Sequence, residues 1–300
     1  MEISHRAKLI CKLLSDFYKK SNLKRHTKEK SKGKSELDKT FRYPEHLHST
    51  IYELKKNFLM EFLEWNDSEN HRVILQLHGG GYVGNLKSAY RTMAGLYSEV
   101  SKGASVLTLD YRVAPENPYP AALEDAIAAF DWLIESGFHE DEIIVAGDSA
   151  GGGLALALCH YLRDSNRKMP LGVVVMSPWA DLTNSGSSYE ENFEIDPLFG
   201  NTKDSLLYDN PYIGDNDPTM PYISPMFGDF TGFPPMLIQV GTHEMLLSDS
   251  KTVAKKAKSA GVKVKLSVYE GMFHVFQMAA TLMPESKKAW SEVGKFIATL

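Results

Sequence analysis

The segment Gly147-Asp148-Ser149-Ala150-Gly151 constrains this chain more than any other. It reads Gly-x-Ser-x-Gly between an apolar run, Ile143 to Ala146, and the helix-like Leu154-Ala155-Leu156-Ala157-Leu158. Strand, sharp turn and helix must follow one another there. In such an elbow the small residues let the backbone bend tightly and lift one serine hydroxyl above the edge of a sheet. Ser149 is therefore the candidate nucleophile. A five-residue pattern with three fixed positions recurs by chance, so the segment taken alone also fits an ordinary glycine-rich helix start.

A second glycine motif, His78-Gly79-Gly80-Gly81, follows the strand-like Val73-Ile74-Leu75-Gln76-Leu77. Loops of this kind supply an oxyanion hole in lipases and esterases. A tetrahedral intermediate carries a full negative charge, which fixed backbone N–H groups stabilise without reorganising. The alternatives are a glycine-rich hairpin or a phosphate loop, but no Gly-Lys-Ser or Gly-Lys-Thr follows this motif.

A serine hydroxyl needs a base to remove its proton, and the base needs an orienting carboxylate. Behind an elbow of this type the partners follow in the order Ser, Asp or Glu, His. Only His160, His243 and His274 come after Ser149. His160 falls in the helix after the elbow and should point away from the sheet edge. His274 ends the loop Glu270-Gly271-Met272-Phe273-His274, after the strand-like Val264 to Tyr269 and near the chain end, where the base is expected. His243 competes, but it follows the strand-like Met236 to Val240, where the acid should lie. Its neighbour Glu244 is the candidate acid. Asp249 is the reserve carboxylate, with a preferred alternative as cap of a helix from Ser250 to Ala260.

These residues bring the chain to a family. It resembles the bacterial hormone-sensitive-lipase-like branch of the α/β-hydrolases from about Val73 to Lys295. Besides the two glycine motifs, the likeness rests on Asp110-Tyr111-Arg112-Val113-Ala114-Pro115-Glu116, Tyr119-Pro120-Ala121-Ala122, Ser177-Pro178-Trp179-Ala180-Asp181-Leu182 and His274-Val275-Phe276. The resemblance implies an α/β fold with a mostly parallel eight-stranded sheet flanked by helices. It also implies a helical cap drawn from the N-terminus and from an insertion after the sixth strand. It places the triad on Ser149, Glu244 and His274, and the oxyanion donors on the N–H groups of Gly80, Gly81 and Ala150. Losing one such donor typically costs about 2.7–4 kcal/mol of barrier lowering. His78, Gly79, Asp148, Asp110 and Tyr111 are expected as support, and Trp179 and Asp181 as the floor of the site. The family's usual Asp-Pro-Leu at the acid is Glu244-Met245-Leu246 here.

The rest of the chain agrees with one catalytic body. Its 300 residues, 43% hydrophobic, can bury one large core, and strands alternating with helical patterns from residue 71 onward argue a doubly wound, mostly parallel sheet. Further strands are expected at Val106 to Leu109 and Gly172 to Met176. Helices fit at Ser88 to Ser101, Ala121 to Glu135, Gly152 to Arg163 and Ser286 to Leu300, with Pro120 suited to a first helical position. Ile10, Leu13, Leu14 and Phe17 mark an amphipathic helix near the start. The expected organisation is cap helices over 1–45, a catalytic part over 46–183, a cap insertion over 184–233 and a second catalytic part over 234–300.

Lys19 to Lys34 carries eight Lys or Arg, yet the net charge is −5 and no Phe, Tyr or Trp lies between Lys19 and Lys34. A solvated lid segment is expected there, not a nucleic-acid or membrane surface. No apolar run reaches the length of about 18 residues that a bilayer demands, and the start lacks a signal-peptide layout. Cys11 and Cys159 are too few for a disulfide framework, so the expected location is cytoplasmic. His46 and His48 read as surface histidines, and neither a metal nor a cofactor is expected.

The expected activity is that of a serine carboxylesterase acting through an acyl-enzyme on small esters with short to medium acyl chains. Tyr82, Leu198, Phe199, Met272 and Phe276 are candidate walls of its pocket. Lactones and acetylated metabolites stay open as substrates, and a peptidase or amidase would share the triad. A non-catalytic ligand receptor on this fold is the alternative of another class; such receptors typically lack the base, and His274 is present. Monomer and homodimer both stay open, with the strand at Lys263 to Tyr269 a candidate sheet edge.

Overall fold

The computed structural model describes residues 3–22, 35–54 and 58–300, the first stretch with side chains as far as residue 16. The side chains of Phe17 and of the basic run from Lys19 to Lys34 thus lie outside the described residues, and so does the lid reading made for that run.

Eight strands build one sheet: β1 (Leu47–Leu54), β2 (Phe58–Trp65), β3 (Val73–Leu77), β4 (Ser105–Asp110), β5 (Ile143–Asp148), β6 (Gly172–Met176), β7 (Met236–Gly241) and β8 (Val264–Tyr269). Their spatial order is β1-β2-β4-β3-β5-β6-β7-β8. β1, β2 and β4 pair antiparallel, and every later pairing is parallel. β3, β5, β6 and β7 are buried at every position, which is why they read as unbroken apolar runs. The polar side chains among them are bonded. Gln76 donates to the Tyr90 carbonyl at 3.0 Å and accepts from Thr108 at 3.2 Å, and Gln239 donates to the Ala289 carbonyl at 2.9 Å.

The helices are α1 (His5–Asn22), α2 (Ser88–Val100), α3 (Ala121–Glu135), α4 (Ser149–Asp164), α5 (Ser188–Glu191), α6 (Leu247–Ser259) and α7 (Pro284–Ile297). Side chains of α3, α4 and α6 share one hydrophobic cluster with one face of the sheet, and those of α2 and α7 share another with the opposite face. Each fully buried Leu, Ile, Val or Phe in these layers contributes about 1.5–3 kcal/mol.

β1 and β2 went unread in the sequence. In β2 the alternation is interrupted by Glu61, which is fully buried. Its carboxylate accepts from Arg91 on α2 at 2.5 and 2.9 Å and from the Tyr43 hydroxyl at 2.7 Å. Pairing makes the burial tolerable; removing one partner of such a pair costs about 3–5 kcal/mol.

Two local expectations change. α1 buries Ala7 and packs Ile10 and Leu14, with Ile3 just before the helix, on a third cluster around Met272, Phe273 and Phe276, whereas Leu13 is 58% exposed. The inward stripe therefore runs through Ala7 instead of Leu13. Pro120 is the N-cap of α3 and not its first residue, because its carbonyl accepts the first helical bond, from Glu124 N–H at 2.9 Å. Residues 184–233, between β6 and β7, are mostly turns. Their regular structure is the four-residue α5 and a 3₁₀ turn at Pro225–Phe227.

Candidate active site

β5 ends at Asp148 and α4 begins at Ser149 without a linker. Ser149 has φ +52°, a left-handed conformation uncommon for a residue with a side chain, and one that clusters at functional sites. Glycine makes the turn sterically feasible. A Cβ on Gly147 would lie 2.3 Å from the Gly151 carbonyl oxygen, and one on Gly151 would lie 2.1 Å from that of Leu77. The same contact sets the elbow directly against the end of β3, where the His78 to Gly81 loop starts.

The Ser149 hydroxyl lies 2.9 Å from His274 Nε2, and His274 Nδ1 lies 2.9 Å from Glu244 Oε2. Ser149 stands at the start of α4 and is 7% exposed, Glu244 in the loop after β7 is 0% exposed, and His274 in the loop after β8 is 5% exposed. Glu244 is also held through its second oxygen, which accepts from the Gly241 N–H at 2.5 Å and the Ser177 hydroxyl at 2.9 Å. Ser177 in turn accepts from the Val275 N–H at 3.2 Å. A carboxylate with both oxygens bonded has one orientation, and with Nδ1–H donating to it, Nε2 faces the serine as an acceptor.

Asp249 stands elsewhere. It is in the first turn of α6, fully buried, and its carboxylate accepts from the Ala180 and Asp181 N–H groups at 3.0 Å each. It braces the loop after β6 and so corrects the expectation of a helix cap: the helix already begins at Leu247. Burial, and next the nearby Asp181, push its carboxyl well above the usual range. His160 is packed between Phe230 and Phe233 with Nε2 3.0 Å from the Pro225 carbonyl. Burial lowers its pKa to about 4.

The glycine loop is pinned on several sides. Gly80 and Gly81 have φ of +122° and +64°. The Gly80 carbonyl accepts from Gly84 N–H at 2.9 Å, and the Gly81 carbonyl accepts from the Asn210 side chain at 2.9 Å. Their own N–H groups donate to no protein acceptor among the described residues. Ala150, second in α4, presents a first-turn N–H without an intrahelical acceptor, at the positive end of the helix dipole. His78 stacks on Tyr111 at 4.1 Å, its Nδ1 lies 2.7 Å from the Gly79 carbonyl, and Tyr111 donates to the His78 carbonyl at 2.6 Å. Burial lowers the pKa of His78, which keeps the ring neutral. Asp110 accepts from the Leu86 N–H at 3.1 Å and is bonded to Ser35. The Trp179 backbone N–H donates to the Ser149 carbonyl at 2.8 Å, which ties this segment to the elbow.

Of the expected pocket walls, Phe199 is partly buried with its ring 5.0 Å from that of His274. Tyr82 is 1% exposed and stacks on Tyr212 at 3.9 Å. Leu198 packs at the edge of the third cluster. Met272 and Phe276 are corrected: both have no exposed surface, being enclosed between α1 and α7, and line no open space.

Sequence reasoning missed the residues that tie the 184–233 segment to the acid loop. Asn192 donates to the carbonyls of Thr242 and Glu244 at 3.0 and 2.7 Å. Asp196 accepts from the N–H groups of Met245, Leu198 and Phe199 at 2.8, 2.8 and 3.0 Å. They belong to no motif, and no local pattern in the sequence marks them. Among the described residues, no group of three or more His, Cys, Asp or Glu is placed to hold a metal ion, and no helix is long and apolar enough to cross a membrane.

Residues 74–278 match the family described as alpha/beta hydrolase fold. An acetyl-hydrolase of Streptomyces hygroscopicus is 38% identical over 231 residues, 77% of this chain and 77% of that protein. An esterase of Acinetobacter venetianus is 36% identical over 230 residues, 76% of this chain and 75% of the relative. The crystal structure of an esterase from the bacterial hormone-sensitive lipase family is 31% identical, with a TM-score of 0.85 over 100% of this chain and 99% of that one.

Proposed function

This chain belongs to the hormone-sensitive-lipase-like branch of the α/β-hydrolases, and from that premise we propose that it is a carboxylic ester hydrolase whose nucleophile is Ser149, working through an acyl-enzyme. His274 Nε2 takes the proton of the Ser149 hydroxyl as its oxygen attacks the ester carbonyl carbon. The resulting oxyanion accepts from the N–H groups of Gly80, Gly81 and Ala150. Collapse breaks the ester C–O bond, and the departing alkoxide takes the proton from His274. Water then repeats the sequence at the acyl-serine and releases the carboxylic acid. Glu244 holds the imidazole tautomer and stabilises the imidazolium.

The observation that carries this reading is the unbroken series of 2.9 Å contacts from Ser149 through His274 to Glu244. Ser149→Ala should abolish turnover of p-nitrophenyl butyrate while leaving the circular dichroism spectrum unchanged. Ordinary activity in that variant refutes the assignment.

The substrates in this reading are esters with short to medium acyl chains. In this reading the described residues before position 46, together with residues 184–233, cap a catalytic body made of the described residues of 46–183 and 234–300. Support comes from Phe199 at the ring of His274 and from Leu206, whose Cδ1 a Cβ on Gly81 would approach to 3.2 Å. Both narrow the space beside the serine. The name of the Streptomyces relative, an acetyl-hydrolase, favours the short end, acetyl esters of small metabolites included. A series of p-nitrophenyl esters from acetate to decanoate tests this: kcat/KM should peak at or below hexanoate, and a rise through decanoate contradicts it. The free thiols Cys11 and Cys159 suit a reducing cytoplasm, which cell fractionation checks. β8 ends the sheet, so monomer and edge-paired homodimer are both carried forward, and sedimentation velocity separates them.

A further inference from the structure

The oxyanion donors sit on glycines, which have no side chains to anchor them. Gly80 and Gly81 can stabilise charge only if the loop is held within about 0.5 Å of its working position. The residue just before them, Gly79, is held on both sides: its carbonyl lies 2.7 Å from His78 Nδ1, and its N–H faces Tyr90 and Asp148. Its N–H donates to the Tyr90 hydroxyl at 2.9 Å, and the same hydroxyl donates to Asp148 Oδ2 at 3.0 Å. Asp148 is the residue immediately before the nucleophile. Beside the β3–β5 pairing of Leu77 with Gly147, one phenol oxygen therefore bridges the loop that carries the proposed oxyanion donors and the strand end that precedes the serine.

Tyr90 is itself rigidly placed. It lies in the first turn of α2, 5% exposed, and its carbonyl accepts from Gln76 on β3 at 3.0 Å. No side chain at position 79 would fit the space: a Cβ there would lie 2.4 Å from Asp148 Oδ2 and 2.9 Å from the Tyr90 hydroxyl. The direction of the bonds is also determined. Gly79 N–H can only donate, so the phenol accepts there and turns its own hydrogen to the carboxylate. Asp148 is fully buried, and burial, opposed by the Tyr90 hydrogen bond, pushes its carboxyl up to about 7. Such a group stays bonded only where a donor is built for it.

Resting on the triad reading above, we infer that Tyr90 is a positioning residue for catalysis: through its hydroxyl it sets the distance between the oxyanion loop and the nucleophile. It touches neither substrate nor serine. Its effect belongs to the transition state, because the N–H groups it positions meet full negative charge only there.

Tyr90→Phe keeps the ring and the packing and deletes only the bridge. Its kcat on p-nitrophenyl butyrate should fall about tenfold with KM within about twofold. Affinity for a trifluoromethyl ketone, which forms an oxyanion on Ser149, should fall by the same factor as kcat. Asp148→Asn, which retains an acceptor for the phenol, should lose less activity than Asp148→Ala. Unchanged kcat and inhibitor affinity in folded Tyr90→Phe overturn the inference, as does an Asp148→Asn variant no better than Asp148→Ala. Should Tyr90→Phe not fold, the two Asp148 variants decide alone. Ser149→Ala run in parallel separates the two levels: activity surviving there sinks the triad, whereas activity lost there but intact in Tyr90→Phe sinks only the bridge.

Discussion

The elbow end of the sheet and the 184–233 segment meet at one site by different physics. At the elbow, backbone sterics rule: Gly147 and Gly151 stand where any Cβ would strike a carbonyl, and the strands behind them are wholly buried. The 184–233 segment has almost no regular structure. It is shaped by local turns in which Asp196, Asp217 and Asp229 accept from N–H groups two residues on, and it is fastened by Asn192 and Asp196 to the loop of Glu244. The lesson is that Ser149 is placed by the fold itself, while the loop of Glu244 depends in part on side chains from the segment beside it.

The largest effect should come from the elbow. Gly151→Ala puts a methyl 2.1 Å from the Leu77 carbonyl oxygen and 2.5 Å from that of His78, two backbone atoms that cannot swing aside. We expect insoluble or inactive protein; near-normal kcat would show that the elbow is looser than the comparison requires. Next comes Asp196→Ala. Three N–H groups lose their acceptor, which costs about 1–3 kcal/mol of stability for buried donors. Release of Met245 and Phe199 should also lower kcat about tenfold. Urea unfolding and steady-state kinetics check both, and a stability loss with kcat unchanged would break the link between this segment and the acid.

How much of this was legible in the residues depends on the same contrast. The central strands and the elbow could be read because burial on both faces leaves unbroken apolar runs and because tight turns demand glycine. Chain order pointed to Glu244 as the proposed acid. β1 and β2 were hidden because Glu61, a buried charge paired to Arg91, disrupts the pattern of β2 from a distance of 30 positions. Asn192 and Asp196 were hidden for a related reason: they contact residues about 50 positions away, and no local periodicity encodes such a partner. Met272 and Phe276 misled because closeness in sequence to His274 does not decide which way a side chain faces; they face α1.

Acidity sharpens the contrast further. Asp148 holds its proton up to about pH 7 in the folded chain, whereas an unfolded aspartate loses it near 3.9. The folded state thus binds the extra proton between these values, and stability from this group is full below about pH 4 and lost as pH rises through about 7. Asp148→Asn lacks this loss, so its stability relative to the parent should improve by up to about 4 kcal/mol between pH 4 and pH 8. Denaturant titrations at the two pH values measure it; parallel pH dependence in the two proteins contradicts it. The smallest effect is expected at Ile195, 47% exposed in the 184–233 segment. Ile195→Ser should change stability by no more than about 0.5 kcal/mol and leave kcat for the butyrate ester intact; a marked loss would mean that the segment's outer face also serves the site.

The central claim is covalent chemistry at one hydroxyl. Mass spectrometry of the protein quenched in acid during turnover of p-nitrophenyl butyrate tests it most directly. The account predicts a butyryl adduct on the peptide containing Ser149, absent from Ser149→Ala. An adduct on another residue, or turnover that persists in Ser149→Ala, would contradict it.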